Sequence, residues 1–233
     1  MIVSTRSNHN RETQLSSSSR NISNLISVRR YSALTPIVAV KHLSLYLLNA
    51  RSVKNKTAGD FDYVSDCKAD LVAITHTWLT TDDTAVRAKL FSVGYKISDR
   101  PHTGRRGGGV GLIYRDLLSV RRIDAGEKES FEYSERTISS PSLNLRLVFL
   151  YRPPFSGDHR VSANDFSTEF STYLETRLLS KEHFVIAVDF NIHVDVPHDH
   201  DSLKLLDLLQ SVGLRKFRVT HLMSLSPVAV MTS

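Results

Sequence analysis

The sequence predicts an α/β protein in which two mixed β-sheets pack together under a cover of helices. Three observations point there. Strand-sized apolar runs interleave with amphipathic helical stretches, long β-rich stretches separate those helices, and the alternation is too irregular for a doubly wound parallel sheet. Composition agrees, because 233 residues with 41% hydrophobic and 23% charged content leave room for one sizeable core.

Residues 1–41 are Ser-, Asn- and Arg-rich, include Ser16 to Ser19 and lack periodicity. Such a leader buries too little apolar surface to offset its ordering entropy, so disorder is expected there and a folded domain over 42–233. Leu43 to Leu48 is an apolar, β-prone run ending at Asn49, and a helical stretch with Phe61, Val64 and Cys67 along one face follows. Asp70 to Thr75 reads as a buried strand that stops at His76. Tyr95 to Ser98 and Val110 to Tyr114 are further strands, the second entered through Gly107, Gly108 and Gly109. Alternation resumes at Phe131 to Ile138, and Leu143 to Tyr151 is strand-like until Pro153 and Pro154 stop it. Phe166, Phe170, Tyr173, Leu174 and Leu178 mark an amphipathic helix. His183 to Val188 is a buried strand, and Leu203 to Leu209 a short helix ended near Gly213.

Charge and cysteine content narrow the function classes. The leader holds six Lys/Arg against one acid, leaving 24 basic and 23 acidic residues elsewhere, so the basic character belongs to the tail. No apolar run approaches the roughly 18 residues of a membrane helix. The single cysteine, Cys67, excludes an intramolecular disulfide and suits a reducing compartment. The Arg- and Ser-rich leader also fits a mitochondrial targeting segment, the alternative to a nuclear location.

Several strands stop at a polar residue: Asn49, His76, Tyr151 and the triplet Asp189-Phe190-Asn191. Polar groups at strand ends face a sheet rim, where a cleft can form while the core stays apolar. Asp189 and Asn191 share a side if the strand continues through them, and a carboxylate with a carboxamide can activate water and orient a phosphate. Trp78 reads as core. The glycines at 107–109 lead into a strand, which excludes a P-loop. His193, Asp195, His198, Asp199, His200 and Asp201 have metal-ligand chemistry but share no face, and Pro197 interrupts them; a solvated loop is expected.

The ordered set Leu-Leu-Asn-Ala-Arg-Ser (47–52), Ala-Ile-Thr-His-Thr-Trp-Leu (73–79), Arg-Gly-Gly-Gly-Val-Gly-Leu-Ile-Tyr (106–114), Tyr-Arg-Pro-Pro (151–154), Asp-Phe-Asn-Ile-His-Val-Asp (189–195) and Val-Thr-His (219–221) resembles the endonuclease/exonuclease/phosphatase domain of non-LTR (LINE-type) retrotransposons. The resemblance implies a four-layer α/β sandwich, Mg²⁺ dependence, DNA as substrate and, in a parent element, an adjoining reverse-transcriptase module. It implies that Asn49 belongs to the metal and phosphate site and that Tyr151 contacts the scissile phosphate. Asp189 would activate the attacking water and Asn191 orient the phosphate. Arg105 and Arg106 would contact the DNA backbone, with a solvated loop as the alternative, and Thr220 would contact it as well.

Three departures accompany it. His76 stands where the family has a metal-binding glutamate, and a neutral imidazole matches a hard cation poorly. Val228 stands where an aspartate is expected, with Pro227 inside the strand, and the chain ends at Ser233, before a terminal Ser-Asp-His motif. The expectation is a phosphodiesterase-type domain with impaired Mg²⁺-dependent nicking, its sheet incomplete at the C-terminus and left with an open edge. The alternative is a non-catalytic remnant that binds DNA or protein.

Overall fold

In the computed structural model, residues 43–54, 56, 64, 66, 68–90, 93–101, 107–140, 143–179, 182–192 and 199–214 are described in full. For 25–28, 215–216, 220–221 and 228–232 the backbone path is described. Among the described residues, twelve strands form two six-stranded mixed sheets. The first runs β11 (Thr220–His221), β1 (Leu25–Val28), β2 (Leu45–Asn49), β3 (Leu71–Thr75), β5 (Val110–Arg115), β4 (Tyr95–Arg100). The second runs β10 (Arg215–Lys216), β12 (Val228–Thr232), β9 (His183–Asp189), β8 (Leu143–Tyr151), β7 (Glu132–Ser140), β6 (Ser119–Glu127). Among the described strands, β2–β3 and β8–β9 pair in parallel and the other pairs are antiparallel. Parallel neighbours need a crossover, and for β8–β9 it is the helix α2 (Ala163–Arg177), which follows α1 (Thr84–Lys89) and precedes α3 (His200–Ser211).

Strand period two sorts the apolar side chains into three buried clusters. Leu45, Leu47, Leu71, Ala73, Leu112, Leu147, Phe149, Val185 and Ala187 meet between the sheets. Tyr46, Leu48, Val72, Ile74 and Ile113 point outward, with Val86 of α1 against them. Val148, Leu150, Ile186 and Val188 face Phe166, Phe170 and Leu174 of α2 and Leu205 and Leu209 of α3. The layers are therefore helix, sheet, sheet, helix, as the sequence predicts. A reciprocal Ser162–Asp165 capping box fixes the start of α2.

Some expectations need correction. Leu25–Val28 is not unstructured: these apolar residues form β1, antiparallel to β2 and β11. Beyond β9 the second sheet continues through β12, whose five residues pair with Asp189 to Val185, and then β10. That strand is described from Val228; Pro227, expected within it, lies outside the described residues, as do Phe61 and Cys67. No helix among the described residues is long and apolar enough to cross a membrane.

Candidate functional site

Inward-facing positions end, at one rim of the sandwich, in polar residues. In β2 the inward series Leu45, Leu47 closes with Asn49, and in β3 Leu71, Ala73 closes with Thr75. In β9 Val185, Ala187 closes with Asp189. Asn49 Nδ2 donates to Asp189 Oδ2 at 2.6 Å, and Thr75 Oγ1 donates to the same oxygen at 3.2 Å. These bonds join the two sheets across the rim. Within the second sheet, Glu132, Tyr151 and Asp189 stand side by side in register, so all three share the inward face.

Asp189 is fully buried, and burial raises its carboxyl from 3.8 to about 6. Hydrogen bonds from Thr75, the Asn191 backbone and Asn49, with the charge of Arg51, oppose that rise without cancelling it. Its Oδ1 is buried without a hydrogen-bond partner among the described residues. With Oδ2 held by Asn49 and Thr75, this carboxylate can accept a proton from water above about pH 6.

His76 stacks on Tyr151, with ring centroids 5.0 Å apart and planes at 20°, and meets Trp78 edge-on at 5.5 Å. Burial and the nearby Arg51 charge lower the imidazole to about 4, so it is neutral at pH 7. The segment leaves β3 through left-handed His76 and Trp78, each at φ 59°. It is pinned on both sides. Ser52 and Val53 N–H donate to the His76 and Thr77 carbonyls, while Thr77 and Trp78 N–H donate to the Gly109 and Gly108 carbonyls. Trp78 is consequently half-buried at the rim and not core, because the positive φ turns it out of the strand.

Glu132 is the residue that the sequence reading misses. It is fully buried, and its Oε2 accepts the Gly109 N–H at 2.6 Å. A Cβ on Gly108 would lie 2.2 Å from Glu132 Oε1, so that close approach requires glycine. The only sequence signal was the start of an alternating stretch at Phe131, which does not distinguish a buried carboxylate from an exposed one.

The structure thus brings Asn49, His76, Tyr151 and Asp189 together. Asn191 differs from the expectation: β9 ends at Asp189, Asn191 takes φ 47°, and its Nδ2 donates to the Arg152 carbonyl at 2.6 Å. Alternation therefore does not place it beside Asp189. Arg152 Nη1 donates to the Phe190 carbonyl at 3.1 Å, which ties this corner together. Arg105 and Arg106 lie outside the described residues; Thr220 is in β11, where the backbone alone is described. Of the His/Asp cluster, 193–198 also lie outside, and Asp199 caps α3 by accepting the Ser202 N–H at 2.9 Å.

The rim fits Mg²⁺ poorly. A hard cation needs several anionic or neutral oxygens. The rim offers one oxygen of Asp189, an Asn49 carbonyl already accepting the Arg51 N–H at 3.2 Å, and a neutral imidazole. Glu132 is turned to the Gly109 N–H. No group of three or more His, Cys, Asp or Glu among the described residues is arranged to hold a metal.

Solved structures match this architecture closely enough to decide the fold. The endonuclease domain of TRAS1, a telomere-specific non-LTR retrotransposon, superposes with a TM-score of 0.57 at 12% identity, over 81% of this chain and 84% of that one. An AP endonuclease from Archaeoglobus fulgidus gives 0.57 at 13%, over 82% and 86%. This chain has the endonuclease/exonuclease/phosphatase fold. D. rerio TDP2 in complex with single-strand DNA product shares it, with a TM-score of 0.52 at 11% identity over 82% of this chain and 83% of that one. Within this endonuclease/exonuclease/phosphatase fold, the rim described above lies at the ends of β2, β3, β8 and β9. No family model matches the chain, and no curated protein sequence does.

Proposed function

We propose that this chain is a DNA phosphodiester-recognising domain of the retrotransposon-endonuclease kind, in which Mg²⁺-dependent nicking is impaired. The observation that supports it best is the bond network Asn49–Asp189–Thr75 beside Tyr151, on a fold shared with a retrotransposon endonuclease and with a DNA-bound phosphodiesterase-fold neighbour. In this reading Asp189 Oδ1 removes a proton from a water whose oxygen attacks phosphorus, while Asn49 and Thr75 hold Oδ2 in place. Tyr151 contacts the phosphate. The P–O bond to the departing sugar oxygen then breaks and leaves a 3′-hydroxyl once that oxygen gains a proton.

Bound Mg²⁺ would supply positive charge at the phosphate and at the departing oxygen. Here His76 removes the carboxylate needed to hold it, and Glu132 is committed to Gly109. Charge developing in the transition state is therefore weakly compensated, and losses of this kind commonly cost orders of magnitude in rate. With Mg²⁺ and supercoiled plasmid, purified protein should nick no faster than Asp189→Ala, while still shifting a labelled duplex in an anisotropy titration. Robust nicking that Asp189→Ala abolishes would overturn the impairment; absence of any duplex binding would overturn the reading itself.

A further inference from the structure

Along one flank of the sandwich the edge strands are β4 in the first sheet and β6 in the second. Tyr95 and Ile97 of β4 pack outward with the α1 cluster, so Lys96, Ser98 and Arg100 face the other sheet. On β7, Ile138 joins the inter-sheet core, which puts Arg136 on the same inward face. The register partner of Arg136 on β6 is Arg122, which is exposed to solvent. Arg136 Nη2 donates to Ser98 Oγ at 3.3 Å, and this bond ties the two sheets together at the flank.

Arg136 is fully buried. Its Nη1 donates to the Glu135 carbonyl at 3.1 Å, its guanidinium lies 5.6 Å from the centre of the Phe149 ring, and its Nε has no hydrogen-bond partner among the described residues. Arg100 Nη1 is buried without one too. The neighbouring carboxylates are engaged on other faces. Asp99 takes two bonds from Arg87 of α1, Glu135 pairs with Arg146 and Arg177, and Asp124 pairs with Arg177. Lys96, Arg100, Arg122 and Arg136 form no ion pair with a described residue. Burial and the Arg122 charge lower the Arg136 guanidinium to about 10, which leaves it cationic at pH 7.

A fully buried arginine is ordinarily paired, and like charges directly opposite on neighbouring strands destabilise a sheet. An oxyanion at the flank offsets both costs, because it accepts from Arg122 at the surface and lies in the field of Arg136 beneath. We propose that the flank between β4 and β6 binds a phosphate-type oxyanion, with Arg122 as its contact, Arg136 as the buried positive charge under it, and Lys96 and Arg100 on the facing edge. The ligand is a free ion or a phosphate of a bound nucleic-acid strand. Arg136 stands four residues along β7 from Glu132, roughly 13 Å at the rise of a strand, so this site is separate from the Asp189 rim and does not depend on the phosphodiester reading.

Calorimetric titration with inorganic phosphate, in EDTA and at constant ionic strength, should show saturable binding to the wild-type protein. Arg122→Gln, at an exposed position, should weaken it by about tenfold or more, as expected for loss of a charge-assisted contact. Arg51→Gln, exposed beside the rim, should leave it unchanged. Arg136→Met should abolish it while keeping or raising resistance to urea, because an apolar side chain replaces an unpaired buried charge. If Arg136→Met does not fold, the comparison of Arg122→Gln with Arg51→Gln decides. No phosphate binding by the wild type, equal binding by Arg122→Gln, or a loss confined to Arg51→Gln overturns the proposal.

A labelled single-stranded oligonucleotide, followed by anisotropy across a salt series, separates the two sources of phosphate. Weaker binding by Arg122→Gln, with a salt slope smaller by about one, identifies a strand phosphate as the ligand. Unchanged oligonucleotide binding beside lost phosphate binding identifies a free ion.

Discussion

Asp189→Asn should be more stable than the wild type at pH 7, and that advantage should shrink as the pH falls to 4. Burial holds the Asp189 carboxyl at about 6 in the folded chain, against 3.8 as its ordinary value. A folded-state pKa raised above the unfolded one stabilises below the unfolded pKa, and this is lost as pH rises through the folded pKa. Between pH 4 and 6 the folded protein keeps a proton that the unfolded chain has released. Ionising Asp189 in place therefore costs on the order of 3 kcal/mol, fully expressed above pH 6. Asparagine retains an oxygen for Asn49 and Thr75 to donate to and carries no charge, so it avoids this cost.

His76 acts in the opposite direction. Its pKa is lowered to about 4, so its contribution is present above its unfolded value near 6.5 and lost as pH falls towards 4. That term is common to both proteins and cancels in their difference. Urea denaturation of the two at pH 4, 5, 6 and 7 measures the difference directly. A difference that does not vary with pH would mean that Asp189 is not desolvated as described. Under the proposed function, the stability given up at this position is what a proton acceptor usable near neutral pH would require, an exchange between activity and stability.

The parts of the fold that were legible are those where burial dictates the residue type. β3, β8 and β9 are covered on both faces, so they read as continuous apolar runs. In α2, Phe166, Phe170, Tyr173 and Leu174 announce the helix because one stripe meets the second sheet. β6 was not legible: it is an edge strand with exposed Arg121 and Arg122 and no clean alternation. α1 has six residues and buries none of them fully, so no periodicity marks it. β1 was hidden inside a polar leader, where four residues are too few to outweigh their surroundings.

The site divides in the same way. A polar residue after an apolar run identified Asn49, Tyr151 and Asp189, because sheet rims are where such residues belong. Thr75 read as one more strand residue, and nothing local shows that its hydroxyl reaches a carboxylate 114 positions away. Glu132 and Arg51 become visible only through register and loop geometry, which sequence spacing does not encode. Trp78 leaves the core for a related reason: its left-handed backbone turns it to the rim, and no glycine or asparagine marks that turn in the sequence.

The glycine loop gives the other large effect. Gly108→Ala should destabilise the protein by about 3 kcal/mol or more, combining strain at positive φ with overpacking against a buried side chain. Gly108 has φ 72°, and the new methyl would fall 2.2 Å from Glu132 Oε1, which has no room to retreat because Glu132 is fully buried. Glu132→Ala should cost about 1–3 kcal/mol by itself, since the Gly109 N–H loses a charged acceptor. The double variant is the informative one. Removing the carboxylate relieves the clash and leaves only the backbone strain, so Gly108→Ala should cost clearly less in the Glu132→Ala background. Additive costs would mean that the loop does not rest on Glu132. The same cycle, followed by Trp78 emission, tests whether Glu132 positions the rim, because the Gly108 carbonyl accepts the Trp78 N–H at 2.9 Å. If the emission moves in Glu132→Ala but not in Glu132→Gln, the cause is the lost acceptor and not the lost charge, because glutamine still offers an oxygen to Gly109. A buried carboxylate bonded to the glycine loop would then set where His76 and Trp78 stand.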